Sequence, residues 1–220
     1  MRHFYLTLLF SLFVLQAGLS QGSVILKDKE FIYHALKDSA IWNRLNAFAE
    51  FKALDSLQQD FYYWVNVFRK NPARFYRQEV AAFLREFPEA NTAEAKSLEF
   101  DLSIQKPLSF LAPDEGLLGM SKKHAVDLAK RGGIISHVSS DGKTFQKRFS
   151  GAGVYRVGAE NIFYGSPNAL EALIILLIDH RVADKGHRIN LMDDRFMLMG
   201  ASFSFVSVKK VILVQEFGSK

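Results

Sequence analysis

The stretch GAENIFYGSPNALEALIILLIDHRVADKGHRINLM, residues 158–192, decides how we expect the chain to fold. Its AENIFYG part predicts a short strand, and Ser166-Pro167 predicts a helix start, since a hydroxyl cap followed by proline favours one. One stripe of this helix is apolar: Leu170, Leu173, Ile174, Leu177 and Ile178. Because its other side is also largely apolar, we expect the helix to be buried in a core.

The flanking segments predict helices around a small antiparallel sheet. Asp114 can cap a helix that runs to about Arg131, where Gly132-Gly133 ends it. Apolar residues alternate with small or polar ones over residues 200–205, which predicts a strand. The later segment VILVQEF predicts a second strand that pairs with the first in a C-terminal antiparallel hairpin. Residues 89–112 are mixed and polar, and they predict a long connection. The expected fold class is therefore α+β.

The first twenty residues, MRHFYLTLLFSLFVLQAGLS, predict a signal peptide that is cleaved after Ser20. A positive residue precedes an apolar run of about a dozen residues, which is shorter than the roughly 20 that span a bilayer. We expect the mature chain to have no membrane anchor and to be secreted, extracellular or periplasmic. The predicted organisation is a signal peptide (1–20), an N-terminal helical extension (21–57) and one main domain (58–220).

The composition excludes several other classes of protein. The chain has 220 residues, of which 49% are hydrophobic and 23% charged, so it is neither disordered nor a polytopic membrane protein. It has no cysteine, so no disulfide can stabilise it. The formal net charge of +5 is scattered, and no basic run is long enough for a nucleic-acid site.

Asp179 is unusual because it ends the helix that we expect to be buried. A carboxylate at a helix C-terminus opposes the helix dipole by roughly 0.3–1 kcal/mol, and burying it unpaired costs more. Either a cationic group lies beside Asp179 or this helix end is solvated. His180 follows at once, and His187 lies one short loop later in GHRINLM.

Two imidazoles and two carboxylates suit a divalent metal with open positions, or general acid–base chemistry. The candidate metal ligands are His137 and His187, and the candidate groups beside the metal are Glu160 and Asp179. Glu160, His137 and His187 are also the candidate catalytic residues. No local motif such as HExxH joins them, so spacing alone leaves a structural role for each histidine open.

Four further polar residues precede or follow His137. His124 and Asp127 are three apart on a predicted helix, and we expect them to form a local pair. Ser139 or Ser140 would be a nucleophile only if a base stood within hydrogen-bond reach. No GxSxG elbow surrounds them, so we expect hydroxyls that cap the loop.

Four segments in order resemble the bacterial branch of the CAP superfamily, which comprises cysteine-rich secretory, antigen 5 and pathogenesis-related 1 proteins. They are HAVDLAKRGGIISHVSSDGKTFQKRF, GAENIFYG, ALIILLIDHRVADKGHRINLM and FMLMGASFSF. The earlier YYWVNVFRKNPARF is similar to the first helix of the family, so the resemblance covers roughly Gln58 to Gly218. It implies an α-β-α sandwich with a three-stranded antiparallel sheet between helical layers.

The resemblance also implies a central cleft with two histidines and two acids. In this chain the resemblance assigns the two histidines to His137 and His187 and the first acid to Glu160. It assigns the second acid to Asp179, where many relatives have glutamate. His180 competes with Asp179 for that role. The chain has no disulfides and a different segment after His187, so sterol binding and immune roles of eukaryotic relatives are not transferred.

Three functions compete for this cleft. The preferred one is a secreted binding module that holds a divalent metal, Zn²⁺, together with an unidentified small ligand, lipid or peptide. The second is a peptidase-like hydrolase that uses the metal or a serine and a histidine. The third is a carrier of lipid or another small hydrophobe, suggested by the 20 phenylalanines.

Overall fold

The computed structural model describes Leu26, Lys29, Phe31 and residues 38–182 and 184–220. The predicted signal peptide lies outside the described residues. Within those ranges, no helix combines the length and the apolar character that crossing a bilayer requires.

Ten α-helices are found in the described part of the chain. They are α1 (Ser39–Leu45), α2 (Ala49–Lys52), α3 (Ser56–Lys70), α4 (Pro72–Phe75), α5 (Ala81–Glu86), α6 (Ala93–Ile104), α7 (Glu115–Lys130), α8 (Phe145–Ala152), α9 (Ala169–Ile178) and α10 (Gly186–Met192). A π-helical segment, Tyr76–Val80, joins α4 to α5, and a 3-10 turn, Pro88–Ala90, follows α5.

The sheet contains β1 (Ala112–Pro113), β2 (Val157–Gly165), β3 (Leu198–Ser207) and β4 (Lys210–Ser219) in the order β1-β3-β4-β2. The three long strands are antiparallel, as predicted, and β3 and β4 form the expected hairpin. The two-residue β1 adds a parallel fourth strand that the sequence did not predict. The α+β class is confirmed.

Helices cover both faces of the sheet, which gives the α-β-α arrangement. On one face, Ala125 and Leu128 of α7 pack on Ile162, Ile212 and Val214 of the sheet. The other face carries the larger core, to which α3 and α9 contribute most of their length. All ten residues of α9 are buried, which agrees with the helix predicted to be apolar all round.

Three sequence expectations need correction. Residues 89–112 contain the helix α6, which Thr92 caps, so they are not a long connection. Helix α9 is capped by Asn168, whose side chain accepts from the backbone of Glu171, so Ser166-Pro167 lies just outside it. The predicted boundary between residues 57 and 58 falls inside α3.

Candidate functional site

His137 and Glu160 form a close pair on the α7 side of the sheet. Nδ1 of His137 lies 2.7 Å from Oε1 of Glu160. An ionised carboxylate only accepts hydrogen bonds, so Nδ1 carries the proton and Nε2 has the free lone pair. The His137 side chain is 55% exposed while that of Glu160 is 2% exposed, so a buried carboxylate orients an open imidazole.

Arg148 of α8 supplies the cation for this buried carboxylate. It donates from Nη2 to the second oxygen of Glu160 and from Nη1 to the carbonyl of His137, at 3.0 Å. Burial opposes ionisation of Glu160. The hydrogen bond from His137 and the charge of Arg148 nevertheless hold the pKa of Glu160 below its usual range. Glu160 is therefore an anion at neutral pH.

Glu216 faces Glu160 from the neighbouring strand. The two residues are paired across β2 and β4, and Glu216 has no exposed surface. Apart from Glu160, neither of its carboxyl oxygens has a hydrogen-bond partner among the described residues. Burial, together with the charge of Glu160, raises the pKa of Glu216 well above its usual range. Glu216 is therefore a neutral acid beside an ionised one.

His124 fixes the loop that carries His137. Its Nε2 lies 2.8 Å from the carbonyl of Ser136, so Nδ1 is free to accept from the Ser139 hydroxyl at 3.2 Å. Burial lowers the pKa of His124, which favours the neutral imidazole. Asp127 does not pair with His124 as predicted, because its carboxylate binds the backbone and hydroxyl of Ser140 instead.

Asp179 and His187 form the second imidazole–carboxylate pair. Asp179 lies just after α9 in the left-handed region, at φ 57°, with 1% of its surface exposed. Its carboxylate accepts from Nδ1 of His187 at 2.7 Å and from the backbone N–H groups of His187 and Arg188, at 2.9 and 3.2 Å. These donors are the compensation that the buried helix end requires. His180 instead contacts Glu94, with Nδ1 3.1 Å from its carboxylate.

The two pairs flank the edge strand β2. Glu160 and Asn161 are successive residues of β2, so their side chains point to opposite faces. Asn161 donates to the carbonyl of His187 at 3.2 Å, which places α10 beside it. The structure therefore brings each imidazole to one carboxylate. Among the described residues, no group of three or more histidine, cysteine or acidic side chains is arranged to hold a metal.

A shallow pocket of about 480 Å³ opens at the first pair. Its lining comes from the loop after α7, from α8 and from β2: His137, Val138, Thr144, Phe145, Gln146, Gly158, Ala159 and Glu160. Asp179 and His187 do not line it. A second pocket of about 310 Å³ lies beside α10 and contains none of the four predicted residues.

The sequence did not identify Arg148 and Glu216 as parts of this site. Glu216 has a recognisable signal, because it is an acid among buried apolar residues in the strand VILVQEF. Arg148 has no recognisable signal in the sequence, because its position beside Glu160 depends on how α8 packs against β2.

The family model for the cysteine-rich secretory proteins, CAP, matches residues 62–217. The chain belongs to this family. The CAP match covers β1 to β3, β4 as far as Phe217, α7 to α10 and all four predicted site residues. No curated protein matches the chain.

Solved structures of several CAP-related proteins are similar to this chain. An extracellular protein from Bacillus anthracis that contains an SCP domain is 25% identical over 51% of this chain, with a TM-score of 0.42. The match spans only 35% of that protein. An outer surface protein of Borrelia burgdorferi is 16% identical, with a TM-score of 0.44. The match covers 66% of this chain and 95% of the Borrelia protein. Venom allergen-like protein 4 of Schistosoma mansoni is 14% identical, with a TM-score of 0.43. That match covers 76% of this chain and 90% of the Schistosoma protein.

Proposed function

We propose that this chain is a secreted CAP-domain binding module in which His137 and His187 bind one divalent metal ion, Zn²⁺. The observation that carries the proposal is that the two imidazoles are held in the same way. In each, Nδ1 donates at 2.7 Å to a buried carboxylate, which leaves Nε2 as the ligating atom. Histidines that bind metals are oriented by this kind of outer partner.

The carboxylates fit an outer role better than a ligating one. Arg148 occupies the second oxygen of Glu160, and two backbone N–H groups occupy the second oxygen of Asp179. The donor set in the described part of the chain therefore offers at most two imidazole ligands, one from each pair, and does not offer a closed four-ligand site. A bound Zn²⁺ would supply Lewis acidity and open positions for a further ligand. Its affinity is expected to be weaker than that of a structural zinc site.

Calorimetric titration with ZnCl₂ tests this function. The wild-type chain is expected to bind one ion, and the double variant His137→Ala/His187→Ala none. His180→Ala is the matched control, because it removes an imidazole that pairs with Glu94 away from both candidate ligands. Equal Zn²⁺ affinity in the wild type and the double variant would remove the proposal.

The single variants distinguish one shared ion from two separate ones. With a shared ion, His137→Ala and His187→Ala each reduce binding strongly. A stoichiometry of two in the wild type, falling to one in each single variant, would contradict the shared site. Affinity should also fall as the pH is lowered, because a protonated imidazole cannot ligate a metal.

One observation favours the serine hydrolase as a second candidate. The Ser139 hydroxyl lies 3.2 Å from Nδ1 of His124, which is the base that a nucleophilic serine requires. Arg148 also donates to this hydroxyl at 3.2 Å, as expected for a loop contact. A fluorophosphonate probe should label Ser139 in the wild type and not in His124→Ala if the serine is a nucleophile. Absence of labelling in the wild type would exclude this route.

Secretion and the lipid-carrier alternative are tested separately. N-terminal sequencing of the exported protein should begin at Gln21, and an uncleaved Met1 would contradict the predicted signal peptide. Phenylalanines such as Phe61, Phe163 and Phe217 lie in the core and give the carrier no support, whereas Phe145 lines the pocket at the first pair. Native mass spectrometry under mild conditions should then find no bound lipid.

A further inference from the structure

The sequence has no long basic run, but the fold gathers an excess of basic residues in one layer. Residues 114–157, which hold α7, α8 and their connection, contain eight Lys or Arg and four Asp or Glu. The whole chain has 28 basic and 23 acidic residues, so this layer holds most of the excess. It lies on the face of the sheet opposite the large core, and α8 has no buried residue. Arg148, which pairs with Glu160, is the buried exception among the basic side chains of this layer, and the lysines are exposed.

The outer face of α7 presents lysines without nearby compensation. Lys122, Lys123, Val126 and Lys130 lie on one side of the helix and are all exposed. Neighbouring acids have other partners, since Asp127 faces Arg131 at 3.9 Å. Asp141 likewise pairs with Lys143 at 2.6 Å. In the described part of the chain, no ion pair joins an acid to Lys122, Lys123 or Lys130.

Apolar side chains are interleaved with these lysines. Val126 is 37% exposed between them, and Ile134, just past the end of α7, is 51% exposed. Gly132 and Gly133 turn the chain between α7 and Ile134, with φ near 80°. A soluble anionic polymer needs only the charges. A bilayer surface also takes up exposed apolar side chains, which favours the bilayer as the partner.

We propose that the outer face of α7, formed by Lys122, Lys123, Val126 and Lys130 with Ile134 beyond its end, docks on an anionic phospholipid bilayer. The lysines attract the negative headgroups, and the apolar side chains enter the boundary between headgroups and acyl chains. Each lysine near such a surface raises the partition coefficient roughly fivefold at moderate salt. Reversing all three should therefore weaken vesicle binding by roughly a hundredfold or more.

Vesicle co-sedimentation of the full chain tests the proposal. The probes are vesicles of phosphatidylcholine alone and vesicles in which phosphatidylglycerol replaces part of it. The test variant is Lys122→Glu/Lys123→Glu/Lys130→Glu. The matched control, Lys52→Glu/Lys96→Glu/Lys106→Glu, changes the net charge equally at exposed lysines on other elements. Binding to the neutral vesicles reports any contribution of the apolar N-terminal segment, which the wild type and both variants share.

Docking through α7 predicts that wild type and control bind the anionic vesicles and that the test variant does not. Added salt should weaken the binding, since the lysine charges are exposed. Val126→Ser/Ile134→Ser should reduce binding to vesicles but leave binding to soluble dextran sulfate unchanged. Equal loss in both lysine variants, no vesicle binding by the wild type, or binding to dextran sulfate alone would overturn the proposal.

Discussion

At the scale of single residues, the two glutamates Glu160 and Glu216 face each other in the interior and only one is ionised. Glu160 is stabilised as an anion by His137 and Arg148. Glu216 is buried with no hydrogen-bond partner other than Glu160 among the described residues, and burial beside an anion raises its pKa. The proton on Glu216 keeps a second negative charge out of the site, so the anion at Glu160 can orient His137.

This arrangement predicts a stability change that depends on pH. In the unfolded chain Glu216 loses its proton above about pH 4.5, whereas in the folded chain it keeps it to higher pH. The folded state thus binds more protons, and this residue lowers stability as pH rises, by at most about 1.4 kcal/mol per pH unit. Glu216→Gln should therefore gain stability over the wild type from pH 5 to 8.

Urea unfolding of both proteins at several pH values measures this difference. Groups that do not contact Glu216 are common to the two proteins, so their titration largely cancels. A difference between wild type and Glu216→Gln that stays constant from pH 5 to 8 would show that Glu216 ionises normally in the folded chain.

At the scale of elements, Arg148 joins α8 to the loop and strand that carry the first pair. Its guanidinium donates to Glu160, to Ser139 and to the carbonyls of His137 and Lys143. Its side chain is only 8% exposed. Loss of this single side chain leaves the buried carboxylate of Glu160 without its guanidinium partner and releases the loop from α8.

Arg148→Met should therefore lower the free energy of unfolding by about 3 kcal/mol, as expected when one partner of a buried ion pair is removed. Lys147→Met is the adjacent control, exposed and outside the ion pairs of the described residues, and should change it by less than about 0.5 kcal/mol. Chemical denaturation measures both. Similar, small changes in the two variants would show that Arg148 does not hold the loop.

The elements also show what sequence can and cannot predict. The bounds of α7 follow from the cap at Asp114 and the glycine pair after Arg131. The C-terminal hairpin follows from side chains that alternate with a period of two, and all of these signals are local. Helix α6 was missed because Phe100 and Ile104 are exposed and obscure its buried stripe. Glu216 is recognisable as an acid in an apolar strand, but its position opposite Glu160 depends on the register of β2 and β4, which no local pattern specifies.

At the scale of the whole molecule, the predicted N-terminal extension and the CAP domain share one core. Ile41, Leu45 and Phe51 are buried in the same cluster as α3 and α9. Trp42 stacks edge-on against Phe51, with ring centroids 5.5 Å apart. Residues before the family match at 62 therefore contribute to the stability of the domain rather than forming a separate unit.

Phe51→Ala should thus destabilise the whole chain by about 3–5 kcal/mol in a single unfolding transition, because it removes a fully buried ring. Phe100→Ala, at a ring that is 65% exposed, is the control and should change stability by less than about 0.5 kcal/mol. Circular dichroism in urea measures both. A separate early transition in Phe51→Ala would show that residues 38–55 unfold independently.

A crystal of the chain soaked in Zn²⁺, with diffraction measured at the zinc absorption edge, tests the proposed metal function most directly. We predict one anomalous peak about 2.0–2.1 Å from Nε2 of both His137 and His187. The two carboxylates should stay on the Nδ1 atoms. A peak elsewhere, or none with both imidazoles well ordered, would contradict the proposal.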